Sequence, residues 1–257
     1  MAPRGAVAHA AAMVERPPQI VAFGGGGFSM EAGNPLLDDY VVSLTAARRP
    51  RVCFVPTASG DADHYVVRFY RTFAAAGCDP SHISLFRRDR GAAQGDPGEH
   101  LLEQDLIYVG GGSVVSLLGA WRAHGLHLAL AEAWRRGIVL CGLSAGSLCW
   151  FAEAITAFHG APQRVEGLGL LPHSNCVHYD GEGRRREEYR RFVGDGMRPG
   201  YAADDGAALH FVGTELARVV TSRPGRRGWR VFIKDGEVVE QVLPTIELGA
   251  PAELAVA

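Results

Sequence analysis

The sequence predicts an α/β protein: a mostly parallel sheet with helices on both faces and antiparallel strands at its C-terminal end. Three observations carry that reading. Short apolar runs alternate with longer helical stretches, the pattern of parallel strands joined by crossover helices. The runs are apolar throughout, as strands buried on both faces must be. Beyond residue 160 the pattern changes to apolar–polar alternation, with Asp235-Gly236 between two such stretches as a hairpin turn.

Residues 19–23 form the first strand and run into Gly24, Gly25, Gly26 and Gly27. Residues 36–47 read as a helix. Residues 51–55 are a second strand, stopped by Pro56, and 64–76 a helix capped by Gly77. The third strand is read at 82–86, and residues 87–100, polar with Gly and Pro, as a loop. Residues 105–109 give the fourth strand and enter Gly110, Gly111 and Gly112. Ser113 opens a helix to Arg122, and a second helix covers 127–136. The fifth strand, 138–141, enters G-L-S-A-G at 142–146, and 147–157 reads as a helix. Then come a strand tip at 177–179, a charged helix at 184–193 and alternating strands at 216–220, 228–234 and 238–242. No linker or repeat interrupts the pattern, so residues 19–250 read as one catalytic domain. The Ala-rich residues 1–18 read as a disordered leader, with Met13 as an alternative start.

Composition narrows the classes of function. The chain has 257 residues, 47% hydrophobic and 21% charged, which suits a folded core rather than global disorder. Its net charge is -2 and it has no basic stripe, so nucleic acid is not an expected partner. Of 26 basic residues only Lys234 is a lysine, a bias expected of a GC-rich genome. Five cysteines without a CxxC spacing read as buried free thiols of a cytoplasmic protein. No apolar run reaches the length of a membrane span. No HExxH or similar cluster suggests a metal. Gly24 to Gly27 lack the acidic residue that a dinucleotide site needs at the end of the second strand, so they read as the rim of an active site, and no cofactor is expected. A homodimer stays open.

G-L-S-A-G carries the chemistry. A serine hydroxyl is a weak nucleophile until a base takes its proton. It also needs donors aimed at the oxyanion that forms on attack. A strand–G-x-S-x-G–helix turn lifts Ser144 above the sheet and aims the Ala145 amide at the oxyanion. The motif alone also fits a small-residue packing turn; the flanking strand and helix favour the nucleophile. Ten histidines are present. His178 follows a short apolar stretch and precedes a polar turn, which suits the base. Asp204 and Asp205 lie in a tight turn before an apolar strand, and one of them suits the orienting carboxylate. Spacing alone does not separate that role from ordinary Asp-Gly turn chemistry. The order Ser, His, acid differs from the Ser, acid, His of esterases.

V-G-G-G-S at 109–113, G-L-S-A-G at 142–146, N-C-V-H-Y at 175–179 and A-D-D-G-A-A-L at 203–209 together resemble the peptidase E family, the aspartyl dipeptidases of serine peptidase family S51, related to cyanophycinases. The similarity spans residues 19–245. It implies a class I glutamine amidotransferase-like fold with serine in place of the amidotransferase cysteine. It makes Ser144 the nucleophile, His178 the base and Asp205 the acid, and gives Gly112 as the second oxyanion donor beside Ala145. The family has asparagine after the glycine triplet, where this chain has Ser113, a position that helps hold substrate. The family also places a substrate-binding arginine in the region of Arg184, Arg185 and Arg186; a solvated helix start explains that cluster equally well. The implied activity is hydrolysis of dipeptides with an acidic first residue through an acyl-enzyme. Its alternatives are a cyanophycinase-like or other small-amide hydrolase, and a non-catalytic binding protein.

Overall fold

The computed structural model describes residues 16–86, 95–181 and 184–250. The leader predicted over 1–18 lies mostly outside them, but Arg16 already hydrogen-bonds the Thr45 carbonyl, and the Pro18 carbonyl accepts from the Gly213 amide at 2.8 Å.

The chain opens with β1 (Gln19–Phe23), α1 (Gly27–Met30), α2 (Leu36–Ser43), β2 (Arg51–Val55), α3 (Asp63–Ala75) and β3 (Asp79–His82). Next come α4 (Pro97–Leu102), β4 (Leu106–Val109), α5 (Val114–Ala123), α6 (Leu126–Arg135), β5 (Val139–Leu143) and α7 (Ala145–Leu148). The second half holds β6 (Phe151–Thr156), β7 (Gln163–Glu166), β8 (Leu171–Cys176), α8 (Arg185–Gly194), β9 (Gly200–Ala203), β10 (Ala207–Val212), β11 (Glu215–Thr221), β12 (Gly228–Lys234), β13 (Glu237–Val242) and β14 (Thr245–Glu247).

An eight-stranded sheet runs in the order β14-β11-β10-β1-β5-β4-β2-β3. Strands β1, β5, β4, β2 and β3 are parallel, and β10 and β11 add antiparallel pairings on the β1 side. This is the predicted mixed α/β class. Alternate side chains point to opposite faces. Ile20, Ile107, Val109 and Leu140 face a core shared with Leu117 and Trp121 of α5 and Leu130 of α6. Val21, Phe23, Tyr108 and Cys141 face a second core shared with Leu37 and Val41 of α2 and Phe69 and Phe73 of α3. Helices therefore cover both faces.

Four local expectations are corrected. The predicted helix over 36–47 ends at Ser43, since Ala46 has φ of 50° and the Thr45 hydroxyl bonds back to the Val42 carbonyl. The third strand lies at Asp79–His82 rather than 82–86; its Pro80 is tolerated because β3 pairs with β2 alone, at the sheet edge. Ser84, Leu85 and Phe86 instead give their hydrogens to the Asp61 carboxylate. Within the predicted loop over 87–100, residues 87–94 lie outside the described ones. The remainder starts α4, with Asp96 as N-cap accepting from Gly98 and Glu99 and Pro97 at the first helical position. The helix expected over 147–157 stops at Leu148, and Phe151–Thr156 is a strand. A short apolar run does not distinguish a buried helix from a buried strand by period.

The larger difference is a second, six-stranded sheet, ordered β13-β12-β9-β8-β6-β7. The predicted hairpin at 228–242 is present, but it pairs with β9 in this sheet rather than extending the first. Ile155, Cys176, Tyr189, Val193, Ala202 and Val231 pack its core against α8. The chain passes from one sheet to the other between β9 and β10, through Asp204, Asp205 and Gly206. No helix among the described residues is long and apolar enough to cross a membrane.

Candidate active site

β5 lies between β1 and β4, so the turn at its carboxyl end is flanked by the glycine turns that follow those two strands. Ser144 leaves β5 with φ 52° and ψ −115°, a conformation that L residues adopt only under constraint. The two glycines of the motif supply the constraint. A Cβ on Gly142 would lie 2.4 Å from the Gly146 carbonyl oxygen, and one on Gly146 would lie 2.2 Å from that of Val109. Only backbone fits there, so the start of α7 sits tight on β4. The Ser147 and Leu148 amides donate to the Ser144 carbonyl at 2.9 and 3.0 Å and close the turn.

Two more loops meet at this turn. His178 follows β8, with φ of 54°, and its amide donates to the Gly24 carbonyl at 3.0 Å. Its Nε2 lies 3.0 Å from Ser144 Oγ, and its Nδ1 lies 2.5 Å from Asp205 Oδ1. Asp205 sits in the crossing between the sheets. Its amide donates to Asp180 Oδ1 at 2.9 Å, and the next amide, Gly206, donates to the Gly25 carbonyl at 3.0 Å. Gly25 has to be glycine, because a Cβ would stand 2.0 Å from Asp205 Oδ1. The glycine run thus backs the histidine–carboxylate pair. Asp204 turns away: it accepts from Trp229 Nε1 at 3.0 Å and from the Arg227 amide at 2.9 Å. Burial lifts its carboxyl above the usual range, against those two hydrogen bonds.

On the other side of Ser144, a Cβ on Gly111 would lie 3.4 Å from the Ser144 Cβ. The Gly110, Gly111 and Ser113 amides are taken by the Val55 carbonyl, Tyr65 Oη and the Ala58 carbonyl. The Gly112 amide has no protein acceptor among the described residues. Gly112 has φ of 136° and no room for a side chain against Ala58. Ser113 is buried; its Oγ caps α5 by accepting from the Ser116 amide at 3.2 Å and lies 2.7 Å from His159 Nε2.

The three arginines stand apart from one another. Arg184 is exposed before α8, and Arg185 is buried. Arg186 holds Glu240 in a two-point pair at 3.0 Å and stacks on the Trp229 ring with its guanidinium 4.5 Å from the centroid. Burial alone would raise the Glu240 carboxyl. Hydrogen bonds from Arg186, Tyr179 and Arg190 outweigh it and hold the group below its usual range. The five cysteines are buried and none is in a disulfide. Burial pushes the Cys53 thiol up to about 12 and those of Cys141 and Cys149 well above their ordinary value, so none of these three is a ready nucleophile. Among the described residues no group of His, Cys, Asp or Glu gathers as a metal site.

Sequence reasoning did not single out Asp180 or Tyr65. The Asp180-Gly181 pair reads as turn chemistry, and Tyr65 as one apolar position of a helix; neither carries a motif. Nor does sequence reasoning single out His159.

The family model for peptidase family S51 matches residues 20–219. The uncharacterized peptidase YgaJ of Bacillus subtilis (strain 168) is 45% identical over 232 residues, covering 90% of this chain and 99% of that protein. Peptidase E of Streptomyces coelicolor (strain ATCC BAA-471 / A3(2) / M145) is 33% identical over 176 residues, 63% of this chain and 68% of its own length. Two solved structures share the fold. A peptidase from an acI-B1 Actinobacterium superposes with a TM-score of 0.69 at 17% identity, over 90% of this chain and 96% of that one. A putative peptidase E from Listeria monocytogenes EGD-e gives 0.54 at 16%, over 89% of this chain and all of that one.

Proposed function

The chain belongs to peptidase family S51, and on that premise we propose that it is a serine peptidase hydrolysing small peptides, chiefly dipeptides with an acidic first residue. One observation carries the proposal: the line of contacts from Ser144 Oγ through His178 to Asp205. His178 Nε2 takes the hydroxyl proton as Ser144 Oγ attacks the scissile carbonyl carbon. Asp205, on Nδ1, fixes the imidazole orientation and stabilises the imidazolium. The oxygen of the tetrahedral intermediate lies against the amides of Gly112 and Ala145. His178 then gives the proton to the leaving amine, the C–N bond breaks, and an acyl-enzyme ester remains on Ser144. Water, deprotonated by the same imidazole, cleaves that ester and restores the serine.

The acidic preference needs a cationic or hydrogen-bonding partner, because a desolvated carboxylate without one is costly. Arg184 offers an exposed guanidinium six residues after His178. Arg186 is engaged with Glu240, so a substrate would have to displace that pair. Buried cysteines outside any disulfide support a cytoplasmic setting.

A panel of dipeptides varied at the first residue tests this. Asp-X and Glu-X should give the highest kcat/KM, and Ser144→Ala should lose several orders of magnitude in kcat on all of them. Near-normal turnover by Ser144→Ala contradicts the mechanism. Equal rates on acidic and neutral first residues contradict the preference alone.

A further inference from the structure

The geometry points to His159 as a residue that binds a carboxylate of the substrate, in the place where sequence reasoning expected Ser113. The inference rests on the peptidase reading above.

The argument begins with the second sheet. β6 and β8 are parallel neighbours, with Glu153 opposite Ser174 and Ala154 opposite Asn175. Continuing that register brings the turn after Thr156 level with Val177 and His178. The β6–β7 turn therefore opens at the same end of the sheet as the base. From there it reaches across to the other side of the nucleophile, where His159 Nε2 meets Ser113 Oγ at 2.7 Å. Ser113 directly follows Gly112, and a Cβ on Gly111 would lie 3.4 Å from the Ser144 Cβ. His178 and His159 thus flank Ser144, one on the proton-transfer side and one on the oxyanion side.

The two members of the Ser113–His159 pair differ in what they can offer a ligand. Ser113 is buried, and its oxygen accepts the Ser116 amide as the cap of α5. It gives its hydrogen to His159 Nε2 when the imidazole is the Nδ1–H tautomer. Nδ1 has no partner among the described residues, and His159 is exposed. An imidazole N–H donor whose ring is fixed by a buried serine makes its strongest hydrogen bond to an ionised acceptor, a carboxylate before a neutral carbonyl. Phe158, 59% exposed, meets the His159 ring edge-on at 5.0 Å and gives the turn an apolar flank.

An acidic dipeptide carries two carboxylates, one on the first side chain and one at the C-terminus. The chemistry at His159 is the same for both, and three substrates separate them: Asp-Leu, Asn-Leu and Asp-Leu amide. His159→Gln should raise KM for Asp-Leu about tenfold or more, the loss expected of one hydrogen bond to a charged group, while kcat changes far less. If His159 takes the side-chain carboxylate, Asn-Leu should be insensitive to the substitution and Asp-Leu amide should remain sensitive. If it takes the terminus, those two results exchange. An equal response of all three substrates, or none, overturns the inference and returns His159 to an ordinary loop position.

Binding keeps this distinguishable from the peptidase reading. In a Ser144→Ala background, calorimetric titration with Asp-Leu should show Kd raised about tenfold by His159→Gln. Absence of turnover by the wild type overturns the dipeptidase reading while that difference still reports on His159. Equal Kd with and without His159, or no binding of Asp-Leu at all, overturns the role of His159.

Discussion

The two sides of the seam between the sheets hold their functional residues by different means. On the eight-stranded side, Ser144 is held by exclusion: Gly142 and Gly146 approach neighbouring backbone so closely that a single methyl group would collide with a carbonyl oxygen. On the six-stranded side, His178 and Asp205 are held by donated hydrogen bonds, to Gly24, Asp180 and Gly25. Behind them stands a layer of ion pairs, Asp180 with Arg226 and Glu240 with Arg186 and Arg190. Sterically enforced geometry fails all at once, because packed backbone has nowhere to move. Hydrogen-bonded geometry fails by degrees, since each bond contributes about a kcal/mol. The two halves should therefore respond differently to substitution.

The largest expected effect lies at the point where the two meet. Asp205→Asn keeps the shape but leaves the imidazole in the wrong tautomer, and should lower kcat roughly 10⁴-fold. Asp204→Asn, whose neighbour is Trp229 rather than His178, should lower the melting temperature and leave kcat nearly intact. Steady-state kinetics and thermal melts on the pair check this, and the reverse pattern would assign the acid to Asp204.

Next comes the exclusion side. Gly146→Ala puts a Cβ 2.2 Å from the Val109 carbonyl oxygen, and neither partner is a side chain able to swing away. Overpacking at a yielding site costs about 1–3 kcal/mol, and this site should exceed that range. Denaturant unfolding measures it; a loss below ~1 kcal/mol would show that the turn is not sterically locked.

The hydrogen-bonded side should give the smallest and most graded response. Asp180→Ala removes the acceptor of the Asp205 amide and the partner of Arg226, and should reduce kcat roughly tenfold, about 1.4 kcal/mol. Asp180→Asn keeps an acceptor oxygen and should recover most of that loss. Equal losses for both would mean that charge, not the hydrogen bond, sets the position of Asp205.

The same division explains what was legible in the sequence. On the eight-stranded side, strands buried on both faces are apolar runs, and the close approaches require glycine, so QIVAF, RVCFV and G-L-S-A-G announce both the fold and Ser144. The parallel core follows from them. On the six-stranded side, β7, β8 and β9 read QRVE, LPHSNC and GYAA, which carry neither period nor length. Phe151–Thr156 looks like the continuation of a helix because its pairing with β8 is written nowhere near it. His178 and the Asp204-Asp205 pair were readable as a loop and a turn at strand ends. The orientation of that pair was not: it depends on Trp229 and the Arg227 amide, residues more than twenty positions away. Asp180 was invisible for the same reason, since the amide it holds, that of Asp205, lies 25 residues further along the chain. Arginines 184 to 186 are adjacent in sequence, yet a helix turns successive residues to different faces: Arg185 is buried and Arg186 pairs with Glu240.

The central claim is that residues from both sheets make one nucleophilic serine at the seam. Intact-mass analysis after treatment with a fluorophosphonate tests it most directly. Wild-type protein should gain one adduct, mapped to Ser144, and Ser144→Ala should gain none. His178→Ala, altered only on the six-stranded side, should react slowly if at all. An adduct on another residue, or unchanged labelling of Ser144 without His178, would contradict the account.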